Sequence, residues 1–234
     1  TNTARGRTGG LRSLVPHGLA LVTWLLTGAF CRAEDSVSYP GLPEPVASFG
    51  AATADGALYV YGGHRGARHE YSAEDVSSSF HRLTLGGGGK WEKLPDGPRL
   101  QGAPLVAFAG ALYRAGGMAA QNARGEAHNL HSSDSAARFN PRQREWQALH
   151  PLPLARSSHD GAVVGHTLYL AGGWRLPGGT NAGIWHTHLY ALDLDQQGAE
   201  WRELPQPFHR RGLAVASLED RKSTRLNSSH GYIS

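Results

Sequence analysis

Cysteine is nearly absent: Cys31 is the only one in 234 residues, so no intramolecular disulfide forms and a small disulfide scaffold is excluded. Acidic residues are missing before Glu34 and after Asp220. The basic excess is therefore terminal, at Arg5, Arg7, Arg12 and Arg32 and at Arg221, Lys222 and Arg225, and sixteen basic residues face nineteen acidic ones between them. A mildly acidic body gives no electrostatic reason to expect a nucleic acid partner, despite a pI near 9.4. No apolar run reaches the roughly 20 residues that span a bilayer.

The stretch "GLALVTWLLTGAFC" at 18–31 has signal-peptide length and follows a positive leader. Residues 1–33 read as an export signal, with a mature start at Glu34 and loss of the cysteine. A lipoprotein cut before Cys31 is a rival that Phe30 fits poorly, and a buried helix is a second that Pro16 and the arginines flank awkwardly. The expected product is exported to a bacterial periplasm, cell surface or medium, with no transmembrane anchor.

Glycine and proline are plentiful, at 31 and 13, which suggests many turns and short strands. Their arrangement repeats. The pairs Gly62-Gly63, Gly116-Gly117 and Gly172-Gly173 lie 54 and 56 residues apart, and Trp91, Trp146 and Trp201 lie 55 and 55 apart. Tyr59, Tyr113 and Tyr169 each precede a Gly pair by three residues. Two landmarks on one period mark stacked structural units.

Each unit offers four short strands. The first turns into the Gly-Gly strand through Asp55-Gly56, Ala109-Gly110 or Gly165-His166, and Asp-Gly is a two-residue hairpin signal because both positions want positive φ. The second strand, with Leu58, Tyr59, Val60 and Tyr61, is apolar on both faces and needs cover on both. Radial stacking of four-stranded sheets supplies that cover. The glycines are expected to allow close backbone approach, with the recurring Trp filling the space beside them.

The sequence "LYxxGG", followed by a third strand, "W", "L" and a "P…P…R" tail, resembles the Kelch repeat. The resemblance runs through Trp91, Leu94, Pro95, Pro98 and Arg99, through Trp146, Leu149, Pro151, Pro153 and Arg156, and through Trp201, Leu204, Pro205, Pro207 and Arg210. It departs at a slightly long period and at an irregular acidic position after the third strand. It implies an all-β, Kelch-type β-propeller that is incomplete here: three four-stranded blades plus the first strand of a fourth. The expected boundaries are a linker at 34–47, blades at 48–101, 102–157 and 158–211, and the start of a fourth at 212–220. The tail at 221–234, "RKSTRLNSSHGYIS", lacks the repeat and reads as non-native, similar to a translated sequencing adapter, or as disordered.

Three long connections, 64–76, 118–132 and 174–186, are expected to gather on one face. His64, Arg65, His69 and Glu70 in the first, with Trp174, Arg175 and Asn181 in the third, are the candidate ligand-binding rim. Metal and cofactor are expected to be absent: His186 with His188 and His128 with His131 have usable spacing but no cysteine or carboxylate companion at motif distance. "SSHD" at 157–160 alternates across a strand and reads as a strand end rather than a triad, and "GGGGK" at 86–90 as a turn rather than a phosphate loop. The repeated Tyr, Trp and Gly are architectural. The expected function is a non-catalytic scaffold that binds a protein or a glycan. The alternative is a carbohydrate-active enzyme, for which the resemblance offers galactose-oxidase-like and sialic-acid-mutarotase-like models, and loss of the cysteine weakens the former.

Overall fold

Antiparallel four-stranded sheets recur three times along the chain. The structure, a computed structural model, describes residues 38–179 and 182–218 and the backbone of Ser223–Asn227. The proposed signal at 1–33 and Asn181 lie outside the described residues. No helix occurs among the described residues.

The first blade holds β1 (Gly50–Ala54), β2 (Ala57–Tyr61), β3 (Phe80–Thr84) and β4 (Trp91–Leu94), paired in that order. The second holds β5 (Leu105–Phe108), β6 (Ala111–Ala115), β9 (Ala136–Asn140) and β10 (Glu145–Ala148), and a separate ribbon of β7 (Met118–Ala120) and β8 (Leu130–Ser132) rises between β6 and β9. The third holds β11 (Ser157–Val164), β12 (Thr167–Arg175), β14 (His188–Asp193) and β15 (Arg202–Pro205), with β13 (Ile184–Trp185) paired to the end of β12. β16 (Ala214–Leu218) packs beside β11 as the first strand of a fourth blade. Residues Ser223–Asn227, read from the sequence as irregular tail, form β17 against β16, a pairing that backbone groups make without any side-chain repeat.

Register repeats with the sequence. Tyr59 lies opposite Ala52 and Arg82, Tyr113 opposite Val106 and Arg138, and Tyr169 opposite Ala162 and Ala191. Turn chemistry explains two hairpins alike and the third differently. Asp55-Gly56 and Ala109-Gly110 have positive φ at both positions (47° and 69°, 48° and 73°), whereas only Gly165, at 62°, does so in the third. The former pattern belongs to type I′ turns and the latter to type II′.

The core sits between blades rather than within them. One cluster joins Tyr59, Tyr61 and Phe80 of the first blade to Leu112 and Phe139 of the second, and another joins Tyr113 and Leu152 to Leu170, Tyr190 and Trp201. Leu213 and Val215 of β16 cover Ala162 and Ala171 of the third blade in the same manner. A single sheet has two apolar faces and no interior, so burial requires a neighbour.

Every Gly of the three pairs has positive φ, and the space beside it is occupied by neighbouring backbone or side chains. A Cβ on Gly62 or Gly116 would run into the carbonyl of Leu100 or Arg156, and one on Gly173 would lie 2.6 Å from the Ser157 carbonyl. The expectation that Trp fills this space is corrected here. Each Trp instead reaches back to the preceding repeat: Nε1 of Trp91, Trp146 and Trp201 donates to the carbonyls of Pro40, Pro95 and His150, always 51 residues earlier, at 3.0, 3.1 and 2.8 Å. Indole needs a partner for its one donor, and the chain leaving the fourth strand of the previous repeat offers an exposed carbonyl. Pro40, in the expected linker, occupies that place for the first blade.

Candidate functional site

Four residues with positive φ, Ser48, Gly102, Ser158 and Gly212, begin the innermost strands. They are chained around the axis, because Gly102 N–H donates to Ser48 O, Ser158 N–H to Gly102 O and Gly212 N–H to Ser158 O, at 2.7, 2.9 and 2.8 Å. This belt fixes the angle between blades. It frames an axial cavity of about 290 Å³ that Asp160 also lines.

The three long connections lie at the end of the strands that carries the Gly pairs. They are less loop-like than the sequence suggests, since β7, β8, β13 and the end of β12 occupy parts of them. The middle connection joins the other two. Asp75 of the first pairs with Arg124 of the second, Asn122 Nδ2 donates to the Tyr71 carbonyl at 2.7 Å, and the Tyr71 ring packs tilted against His64 and edge-on against His128. On the other side Asn129 Oδ1 accepts from Gly179 N–H at 2.8 Å, His131 bridges to Pro177, and Ser132 Oγ bonds the Trp174 carbonyl at 3.3 Å. Arg124 holds the Asp75 carboxyl below its ordinary pKa by a hydrogen bond, with Ser72 adding a second.

The structure places the candidate rim residues unequally. His64 is buried, with Nε2 against the Glu70 carbonyl at 2.7 Å, and Arg65 is engaged by Glu44 and by the Glu74 carbonyl. His64 shapes the surface from beneath, whereas Arg65 stays exposed on it. His69, with φ of 66°, and Glu70 are exposed at the loop tip. Trp174 lies in the strand ladder opposite Trp185, with the Arg211 guanidinium 3.9 Å over its ring, and Arg175 lies opposite Ile184. Sequence reasoning missed the mediators Tyr71 in the first connection and Asn122, Arg124 and Asn129 in the second, because the connections carry no repeat. It also missed exposed Ile184 and Trp185, whose apolar pair on a polar hairpin was a usable signal.

Beneath this face lies a cationic cluster between the second and third blades. Arg156 is fully buried, donates to the carbonyls of Leu170, Gly172 and His188, and lies 4.4 Å from the Tyr190 ring centroid. Burial lowers its pKa to about 10, opposed by Tyr190. Arg99 and Arg210, its counterparts in the repeat motif, behave differently: Arg99 caps the carbonyls of Ala73 and Val76 at 3.1 Å and Arg210 is exposed. His159 lies within β11, not at its end, and packs against Gly116 with neither ring nitrogen hydrogen-bonded. Burial and then Arg156 push its pKa well below the ordinary value, and the same causes bring His186 to about 4. Asp160, whose pKa burial raises, accepts from Val215 N–H at 2.7 Å, so "SSHD" is divided between interface and axis and makes no triad. Gly86–Gly89 form the turn between β3 and β4, as the sequence suggests.

These stacked sheets, axial belt and diglycine bends define an incomplete all-β propeller whose repeats are similar to the Kelch repeat. Kelch-like protein 35 of Mus musculus is 26% identical over 182 residues, covering 77% of this chain and 27% of the relative. A solved structure, "Structure of YjhT", superposes with a TM-score of 0.59 at 17% identity, over 77% of this chain and 57% of that one. The chain thus spans about a quarter of the curated relative and just over half of the structural neighbour. No family model matches.

Proposed function

We propose that this chain is part of an exported, non-catalytic propeller whose long-connection face binds a protein. One observation carries the reading: contacts through Arg124, Asn122 and Asn129 join the connections of three successive blades into a single surface. That surface mixes exposed charge at Glu70 and Arg124 with exposed apolar area at Ile184 and Trp185, a combination that suits polypeptide recognition. Kelch propellers generally bind proteins, which supports a polypeptide over a glycan. Among the described residues no helix is long and apolar enough to cross a membrane.

A photo-crosslinking residue introduced at His69 or Trp185, in the cell that produces the protein, tests this reading. Lys90 on the opposite face serves as the control. Protein adducts from the first two positions and not from the third are expected. Equal labelling at all three, or binding of glycans alone to the long-connection face, contradicts it. Export is tested separately by sequencing the N-terminus of the secreted form, where Glu34 is expected first.

A further inference from the structure

A sizeable cleft lies away from the long-connection face. It lies at the opposite end of the strands, between the second and third blades, beside the Ala109-Gly110 turn, with a volume of about 770 Å³. Ligand sites have about 300–1,000 Å³ and combine apolar walls with a few convergent polar groups.

The corresponding place between the first and second blades is narrowed by a strap and keeps only a pocket of about 240 Å³ beside Asp55. Arg144, two residues before Trp146, reaches back to pair with Glu92 and to donate to the Lys93 carbonyl at 3.0 Å. Glu92 is the residue after Trp91. One repeat later the equivalent positions are Ala199, two before Trp201, and Gln147, one after Trp146. The strap is deleted at both ends, so the cleft stays open.

Its lining is chemically specific. Tyr113 is 5% exposed, and its hydroxyl has no hydrogen-bond partner among the described residues. Buried Nε of Arg138 is likewise unpartnered, and its guanidinium makes a long 3.5 Å contact to Gln147 Oε1. Asp193 and His150 complete the polar set, and Phe108 and Leu149 supply apolar wall. Arg138 is opposed by Asp193 and Asp195, which disfavours an anionic ligand. Planar guanidinium, amide and carboxylate groups hydrogen-bond adjacent hydroxyls in pairs, and an apolar wall accepts the C–H face of a pyranose ring.

We propose that this cleft binds a neutral saccharide unit, with Arg138, Gln147, Asp193 and Tyr113 as its hydrogen-bonding groups. The site is separate from the protein-binding face and stands whether or not that reading holds.

Saturation-transfer NMR of the whole chain with methyl glycosides of glucose, galactose, mannose and N-acetylglucosamine tests it, with titration calorimetry of any member that responds. The double variant Ala199→Arg, Gln147→Glu rebuilds the strap and is expected to weaken binding at least tenfold without lowering the melting temperature. Tyr113→Phe keeps the ring and removes only the hydroxyl, is expected to weaken binding several-fold, and decides the matter if the double variant fails to fold. Saturable binding that both changes weaken supports the site. Failure of every glycoside to saturate, saturation by benzoate instead, or binding indifferent to the substitutions overturns it.

Discussion

The two inter-blade seams solve one packing problem with different chemistry. Between the first and second blades, Phe80 meets Phe139 at 4.9 Å and Trp146 at 5.2 Å between ring centroids, Tyr61 meets Trp146 at 5.5 Å, and Arg114 lies over the last ring at 5.2 Å. Between the second and third, no aromatic ring pair crosses among the described residues, and Trp201 meets Tyr190 of its own blade at 6.5 Å. Buried Arg156, His159 and His186 occupy that seam, and a cleft remains open at its far end. Aromatic stacking is insensitive to protonation and fills the middle of the first seam. The second seam depends on desolvated groups, of which Arg156 and His186 find carbonyl partners and His159 finds none. The repeat specifies stacking, and individual substitutions decide which seam carries a site.

The contrast is sharpest for Trp146→Ala. Three ring contacts are lost at once, and we expect a cost of about 4 kcal/mol, typical of a large aromatic deleted from a core. Trp201→Ala is expected to cost about 3 kcal/mol, although Trp201 is the more buried, because its ring contacts are longer. Urea unfolding of the two variants in parallel checks the order, and the reverse order breaks the comparison. Arg156→Ala comes next, since three carbonyls lose their donor; a loss of about 3 kcal/mol is expected in the same measurement.

Acid distinguishes the seams through His186 and His159. Both have folded pKa values below the ordinary imidazole value, so the unfolded chain takes up the proton first and stability falls with falling pH. The contribution is whole above about pH 6.5, the ordinary imidazole value. For His186 it is lost by about 4, a change of about 2 kcal/mol. His186→Gln should flatten that stretch of the stability–pH curve, and an unchanged slope would contradict the assignment. Smallest of all is Arg144→Ala, whose exposed ion pair with Glu92 is worth about 0.5 kcal/mol. The variant should barely shift the melting temperature while opening a second cleft.

Much of the architecture was legible because it rests on period and turn chemistry. Glycine pairs at one spacing, a Trp at the same spacing and Asp55-Gly56 are local signals that need no tertiary knowledge. What escaped depends on which residues face each other across blades. That Trp146 donates 51 residues back follows from the stagger of neighbouring sheets, and nothing near Trp146 states it. Arg99, Arg156 and Arg210 share a motif and diverge in role, because the first meets two loop carbonyls and the second enters the adjacent sheet. Of the candidate rim, exposed His69 and Glu70 sit where polar loop residues are expected, whereas His64 turned inward to serve a backbone carbonyl. The open cleft was encoded by the absence of Arg and Glu at Ala199 and Gln147, which shows only once the repeats are aligned on Trp.

Amide hydrogen exchange in Trp146→Ala tests most directly whether the core belongs to the seams. Trp146 stands on β10 of the second blade, yet its rings lie against Tyr61 and Phe80 of the first. Protection should fall in β2 and β3 as far as in β9, although no residue of the first blade has changed. Loss confined to the second blade, with Ala57–Tyr61 and Phe80–Thr84 as protected as before, would contradict the account.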